Sequence, residues 1–236
     1  MTPLELFCAT ANPHKLGEFR QAAGEGLLIQ GLPPCDCPEQ GATFQENAVS
    51  KALCYSRHNR SPELEKQDKG GTKKGGTEKG GTEPLTKGGP EKAGPAPLVF
   101  ADDSGLVVDA LGGRPGIYSA RFAGPDAGDE ENNALLLKQL SGVPREQRTA
   151  RFVCCIALVR GSVLLKTFQG EAEGLVLDGP AGSGGFGYDP LFFFPPVGKG
   201  FAEIYASTKW QHSHRGAAFR QMLQWLPQLF QSPELQ

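Results

Sequence analysis

Three short stretches of this chain carry residue types suited to phosphate chemistry. "ATANPHK", residues 9 to 15, lies between the apolar run Leu4 to Ala9 and a helical pattern from about Lys15 to Ala23. A strand-to-helix turn offers backbone N–H groups at the positive end of a helix, and Thr10, Asn12 and Lys15 add side-chain donors. The same residues also suit an ordinary turn, because Asn and Pro favour turns. "FADDSG", residues 100 to 105, sets two carboxylates at the mouth of an apolar strand. Adjacent carboxylates repel and lose solvation unless a cation or water compensates. Oxygen ligands that leave Mg²⁺ several of its waters are the usual way to hold it beside substrate phosphates. A bare Asp-Asp can equally be a solvated acidic turn, but the run "LVF" leads straight into this one. "GSGGFGYDP", residues 182 to 190, places Phe186 and Tyr188 among glycines, a stacking shelf for a base. "KWQHSHRG", residues 209 to 216, supplies Lys209, His214 and Arg215 as donors. A tight hairpin loop and a helix start would account for these last two stretches separately.

A fourth stretch has similar ingredients without a scaffold. "KGGTKKGGTEKGGTE", residues 69 to 83, belongs to a block from 61 to 97 with nine glycines, five prolines and no aromatic residue. Its seven lysines face five glutamates and Asp68, so its net charge is only +1. A phosphate loop needs a strand before it and a helix after it, so that backbone donors converge on one anion. Neither flank provides one. The block cannot bury enough apolar surface to offset its ordering entropy, and it reads as a disordered surface insertion in one domain spanning 1–236.

The remaining sequence alternates strands and helices. "TFQENAVSKALCYSRH" opens with a capping box, Thr43 and Glu46, and then places Phe44, Ala48, Ala52 and Tyr55 at helical spacing. "PLVFA" reads as a strand ending at "DDSG", and "LVVDAL" as another. "DEENNALLLKQLSG" has acidic residues in its first turn and Gly142 just past its end, as a helix should. "ARFVCCIALVRG" and "VLLKTFQGEAEGLV" read as a hairpin, and "PLFFF" as one more strand. Arg215 to Phe230 is amphipathic, with Pro227 expected to bend or end that helix. This order predicts an α/β fold with a mixed sheet.

Composition narrows the partners. A net charge of −2 over 236 residues gives no general pull toward nucleic acid or an anionic membrane. No stretch approaches membrane-spanning length, and the N-terminus lacks a signal-peptide pattern. The six cysteines, at 8, 35, 37, 54, 154 and 155, include no C-x-x-C pair and no His at zinc-finger spacing. They read as reduced thiols in a cytoplasmic protein with no structural metal.

Taken in order and spacing, "ATANPHKLGEF", "TFQENAVSKA", "ADDSGLVVDALGGRPGIYSARFAG", "GGFGYDPLFF" and "SHRGAAF" resemble the inosine/xanthosine triphosphate pyrophosphatase family. The resemblance covers nearly the whole chain outside 61 to 97. It implies an elongated mixed sheet, two lobes around a central cleft, Mg²⁺ dependence, a homodimer and hydrolysis of deaminated purine nucleoside triphosphates. By the same resemblance the loop Thr10, Ala11, Asn12, Pro13, His14 and Lys15 holds the triphosphate. Asp103 is then the general base and, with Glu39, a magnesium ligand, with Asp102 nearby. Ser104 contacts substrate and Lys51 faces the phosphates. Phe186, Gly187, Tyr188 and Asp189 bind the base together with Lys209, His214 and Arg215. The approach "YASTKWQHSHR" is less acidic than the family pattern, so one wall of the base pocket is expected to differ.

Three rivals remain on the residues alone. A pyrophosphatase of related fold could act on modified pyrimidine or methylated nucleotides. An aspartyl-phosphate phosphatase needs D-x-D, whereas this chain has D-D-S. A non-enzymatic nucleotide-binding or partner-binding protein would use the KGGT arm as its working part.

Overall fold

Among the described residues seven strands frame the three stretches: β1 (Leu4–Cys8), β2 (Leu27–Gly31), β3 (Leu98–Val108), β4 (Thr149–Arg160), β5 (Val163–Val176), β6 (Phe192–Phe194) and β7 (Lys199–Gly200). The computed structural model describes residues 3–58 and 96–231, so the predicted insertion lies outside the described residues except for Ala96 and Pro97. The strands form one sheet in the order β2-β1-β3-β4-β5-β6-β7. β1 is parallel to both neighbours, and every pairing from β3 to β7 is antiparallel. The mixed α/β sheet predicted from the sequence is therefore present.

Among the described residues five helices cover it: α1 (Pro13–Ala22), α2 (Phe44–His58), α3 (Asp129–Gln139), α4 (Ala206–His212) and α5 (His214–Leu229). On one face Leu6, Phe100, Ile156 and Leu158 pack against Phe19 of α1 and Phe219 and Met222 of α5. On the other, Val99, Ala101, Ala157 and Val159 pack against Ala48, Ala52 and Tyr55 of α2. Cover on both faces explains why β4 reads as an unbroken apolar run. A third cluster joins Leu106, Val108 and Phe152 to Leu136 of α3 and to Phe192 and Phe201, building the second lobe. Gly170 of β5 lets α5 lie directly on the sheet, because a Cβ there would fall on the His214 carbonyl and the Ala218 nitrogen.

Several boundaries differ from the sequence expectations. "PLVFADDSG" and "LVVDAL" are one strand, because β4 pairs with β3 along its length, from Leu98↔Arg160 to Val108↔Ala150. Ser104 and Gly105, turn formers by type, are held extended by that partner. α1 begins at Pro13, whose fixed φ suits a first helical position. Pro227 lies inside α5, which ends two residues later at Leu229. The short elements β2, β7 and α4 had no periodic signal of their own. Cys8, Cys154 and Cys155 are buried free thiols as expected, but Cys37 and Cys54 form a disulfide. That corrects the fully reduced reading: residues 17 apart meet because the loop after β2 folds back onto α2. Among the described residues no helix is long and apolar enough to cross a membrane.

Candidate active site

β1 leaves β3 where the Ala9 N–H donates to the Phe100 carbonyl at 2.8 Å, and β3 runs on to Val108. The cleft opens beside this overhang. Successive strand side chains point to opposite faces, so the two aspartates of "ADDSG" do not share a site. Asp102 faces α1 and α5 along with Phe100, whereas Asp103 faces α2 along with Ala101.

Asp102 is fully buried. Its Oδ2 lies 2.8 Å from Lys15 Nζ and 3.4 Å from Arg215 Nε, and it accepts from Ser104 Oγ at 3.1 Å. Arg215 Nη2 donates to that Ser104 hydroxyl at 2.9 Å, and Nη1 sits 2.6 Å from Glu18 Oε2. Burial alone pushes the Asp102 carboxyl up, but Lys15, Arg215 and Lys51 outweigh it and hold it well below the ordinary carboxylate range. Asp102 is an ionised clamp between helices. Its Oδ1 is buried and accepts no hydrogen bond.

On the other face Asp103 Oδ2 accepts from Asn47 Nδ2 at 3.0 Å, while Oδ1 accepts from the Ser104 N–H at 3.1 Å. Asn47 is fixed in turn, since its Oδ1 accepts the Gly41 N–H at 2.8 Å. The predicted cap orders this corner. Thr43 Oγ1 accepts the Glu46 N–H at 3.1 Å, and Glu46 reaches back to the Ala42 N–H at 2.7 Å, one residue earlier than a capping box requires. Glu39, on the loop before α2, pairs with Lys51 at 2.5 Å and with Arg121 at 3.6 Å. Lys51 also donates to the Asp102 carbonyl at 3.2 Å. Burial raises the Asp103 pKa, and Lys51 and Asn47 only partly offset it. In Glu39 burial is outweighed by Lys51, so its carboxyl is lowered. Lys51 is raised despite burial, because Asp102 and Glu39 face it.

The "ATANPHK" turn is more self-contained than its sequence suggests. Asn12 caps α1, its Oδ1 accepting from the His14 N–H at 2.9 Å and the Lys15 N–H at 3.3 Å, and Pro13 has no N–H to offer. Two of the backbone donors expected to face an anion are thus already engaged. The Asn12 amide, the Thr10 hydroxyl and the Lys15 ammonium remain as donors. Thr10 Oγ1 accepts the Asn12 N–H at 3.2 Å, which leaves its own proton to give.

The aromatic shelf narrows to Phe186. Its ring is stacked on His14 at 5.3 Å, and Lys209 Nζ and Arg215 Cζ lie 5.1 and 5.4 Å from its centroid. Tyr188 is buried and donates to the Ser119 carbonyl at 2.8 Å, which makes it part of the second lobe's core. Asp189 accepts the Phe186 N–H at 2.8 Å and pairs with Lys209 at 2.6 Å. Glu18 of α1 joins the same Lys209 at 3.3 Å. Gly187 has φ +64, a backbone state that favours glycine, and its N–H donates to Asp129 while its carbonyl accepts from Asn133. His214 is buried, its ring stacked on Phe152 at 4.7 Å, and its Nδ1 has no hydrogen-bond partner. Gly105 permits the wall opposite: a Cβ there would strike Ser119 Oγ and the Gly116 carbonyl.

These residues enclose a cavity of about 360 Å³ between the lobes. Every predicted site residue lines it except Pro13 and His14, which sit at its edge in the first turn of α1. Sequence reasoning missed Asn47, Glu18, Arg121, Asp129 and Asn132. Glu18 and Asn47 look like surface positions of amphipathic helices, and only the chain path brings them against Arg215 and Asp103. The quoted stretch "GGRPGIYSARFAG" contained Arg121 without giving it a task.

An α/β protein with carboxylates on the floor of a cleft and cations on its walls is built to take a polyanion. Comparisons with known proteins give the family. Residues 6–225 match the profile of the Ham1 family. A dITP/XTP pyrophosphatase of Acidobacterium capsulatum is 41% identical over 95% of this chain and 98% of its own. Another, from Geobacter sulfurreducens, is 42% identical over 90% of this chain and 92% of its own. The Staphylococcus aureus Ham1 protein superposes with a TM-score of 0.71 at 32% identity, covering 94% of this chain and 98% of that one. The chain belongs to the Ham1 family.

Proposed function

We infer that this protein is a nucleoside triphosphate pyrophosphatase that hydrolyses deaminated purine nucleotides, dITP, ITP and XTP, to the monophosphate and pyrophosphate. The observation that carries the reading is the division of labour across β3. Asp102 is locked between Lys15 and Arg215, while Asp103 faces the cleft beside Glu39 and Lys51.

Asp103 and Glu39 form an all-oxygen donor set that fits Mg²⁺, and the hard carboxylate chemistry suits that ion. A bound Mg²⁺ supplies charge neutralisation at the phosphates and a more acidic water. The chain's own residues do the rest. Asp103, raised by burial, takes the proton of the attacking water more readily than an exposed carboxylate would. Asn47 and the Ser104 N–H hold its two oxygens in place. Lys51 and Lys15, paired in this state with Glu39 and Asp102, are the cations that face the phosphates and the departing pyrophosphate. Thr10 and the Asn12 amide complete the cradle.

Base choice falls to Lys209 and Arg215. Both can only donate, so a 6-keto oxygen satisfies them, whereas a 6-amino group sets donor against donor. Asp189 and Glu18 fix their positions, and Phe186 offers its ring to the base. Family resemblance carries the homodimer into this proposal, and light scattering on the purified chain reads it directly. The experiment for the reaction itself is turnover in heavy-oxygen water. Attack at the α-phosphate puts the label in the monophosphate, and label found only in pyrophosphate would overturn the mechanism.

A further inference from the structure

We propose that Cys35, Cys37 and Cys54 form a site for one thiophilic divalent cation, of which zinc is the type, at the rim of the cleft. The three sulfurs come from two elements, the loop after β2 and the last turns of α2, yet all lie within 4.8 Å of one another. Cys37 and Cys54 are joined, and the Cys35 sulfur stands 3.0 Å from that of Cys37. A disulfide needs two sulfurs. The third, brought to contact distance by a C-x-C loop, is what a metal site requires and a disulfide does not.

The dimensions agree. Tetrahedral zinc bound at about 2.3 Å holds its sulfurs about 3.8 Å apart, within the observed span once the Cys37–Cys54 bond is opened. The fourth position falls to a solvent water. His58 follows Cys54 by one helical turn, with Nδ1 3.8 Å from the Cys54 sulfur. That Nδ1 lies 2.9 Å from the Cys54 carbonyl, which can only accept, so it carries the ring proton and His58 is not a ligand as placed. Thiolate donors select a soft cation over Mg²⁺, so this site does not compete with the oxygen set of Asp103 and Glu39.

Its location gives it a task. Cys37 precedes Glu39 by two residues, and Cys54 follows Lys51 by three. The Glu39–Lys51 pair, at 2.5 Å, therefore spans the same loop-to-helix junction that the cation would pin. The site is thus a clasp holding the Glu39 loop on α2.

The test uses the full chain. A trialkylphosphine and water open the Cys37–Cys54 bond, giving two thiols and the phosphine oxide. Binding of the cation then releases thiol protons. Titration of the reduced protein with Co²⁺ should give sulfur-to-cobalt charge-transfer absorption saturating at one ion per chain, displaced by Zn²⁺ and not by excess Mg²⁺. Cys35→Ser, Cys37→Ser and Cys54→Ser should each weaken binding at least tenfold. Should a variant fold poorly, the wild-type chain decides alone: Zn²⁺ should protect all three thiols from alkylation, read by mass spectrometry. Absence of the charge-transfer band, undiminished binding in Cys35→Ser, or no protection would overturn the proposal.

Discussion

Asp102 and Asp103 are neighbours in sequence and point to opposite faces of β3, the first into a buried cluster with Lys15 and Arg215, the second toward Asn47 and Lys51. One holds the lobe together and the other faces the cleft, so the same substitution at the two positions should fail in different ways.

Asp102→Asn should cost stability. It leaves Lys15 and Arg215 short of their buried counter-charge, and breaking a buried pair on one side costs about 3–5 kcal/mol. Chemical denaturation of the variant measures it, and an unchanged midpoint would contradict the clamp. Asp103→Asn should leave that midpoint nearly unchanged and lower kcat by about 10²–10⁴-fold, the usual contribution of a general base.

Asn47 is expected to matter through Asp103. It donates to Asp103 Oδ2 and accepts from Gly41, so Asn47→Ala removes both the orienting amide and the anchor of the Glu39 loop. We expect kcat to fall at least tenfold on dITP, with KM changed less. Asn47→Asp, which keeps the acceptor for Gly41 but not the donor, should recover the loop and not the rate. Wild-type kcat in Asn47→Asp would show that the amide donor plays no part.

His214 should set the acid limit of stability. Burial, with Arg215 and Lys209 beside it and only Asp102 opposing, keeps its pKa well below the ordinary value, so the folded protein holds it neutral. The unfolded chain takes up that proton near pH 6.5. The folded pKa is depressed, so the full contribution is present above about pH 6.5 and is lost below it, at up to about 1.4 kcal/mol per pH unit. Denaturation curves at pH 7, 6 and 5 should show this slope, and His214→Phe should flatten it. A variant with the wild-type slope would contradict the assignment.

Replacing residues 61 to 97 by a short Gly-Ser linker should change kcat/KM on dITP by less than about threefold. Long insertions carry little closure entropy, and Lys15 and Lys51 already pair with the carboxylates at the cleft. Loss of activity would return the arm to the centre of the function.

The chemistry of this protein was legible where a motif is local. Thr10, Asn12 and Lys15 sit at the strand-to-helix turn that their spacing predicted. What escaped were relationships made by the chain path. "DDSG" looked like a turn because Ser and Gly favour turns, and only the partner strand β4 holds it extended and sends its carboxylates apart. Glu18 looked like a solvated helix acid until α1 brought it within 2.6 Å of Arg215. The three cysteines at the cleft rim carry no recognised spacing, because one lies a helix away from the other two.

The most direct measurement is kcat/KM for dITP, XTP, dGTP and dATP with Mg²⁺, reading pyrophosphate and monophosphate together. The account predicts equimolar products and a preference for dITP and XTP over dATP of about 10²-fold or more, since a donor facing a donor leaves buried polar groups unpaired. Orthophosphate as the product, or dATP turned over as well as dITP, would contradict it.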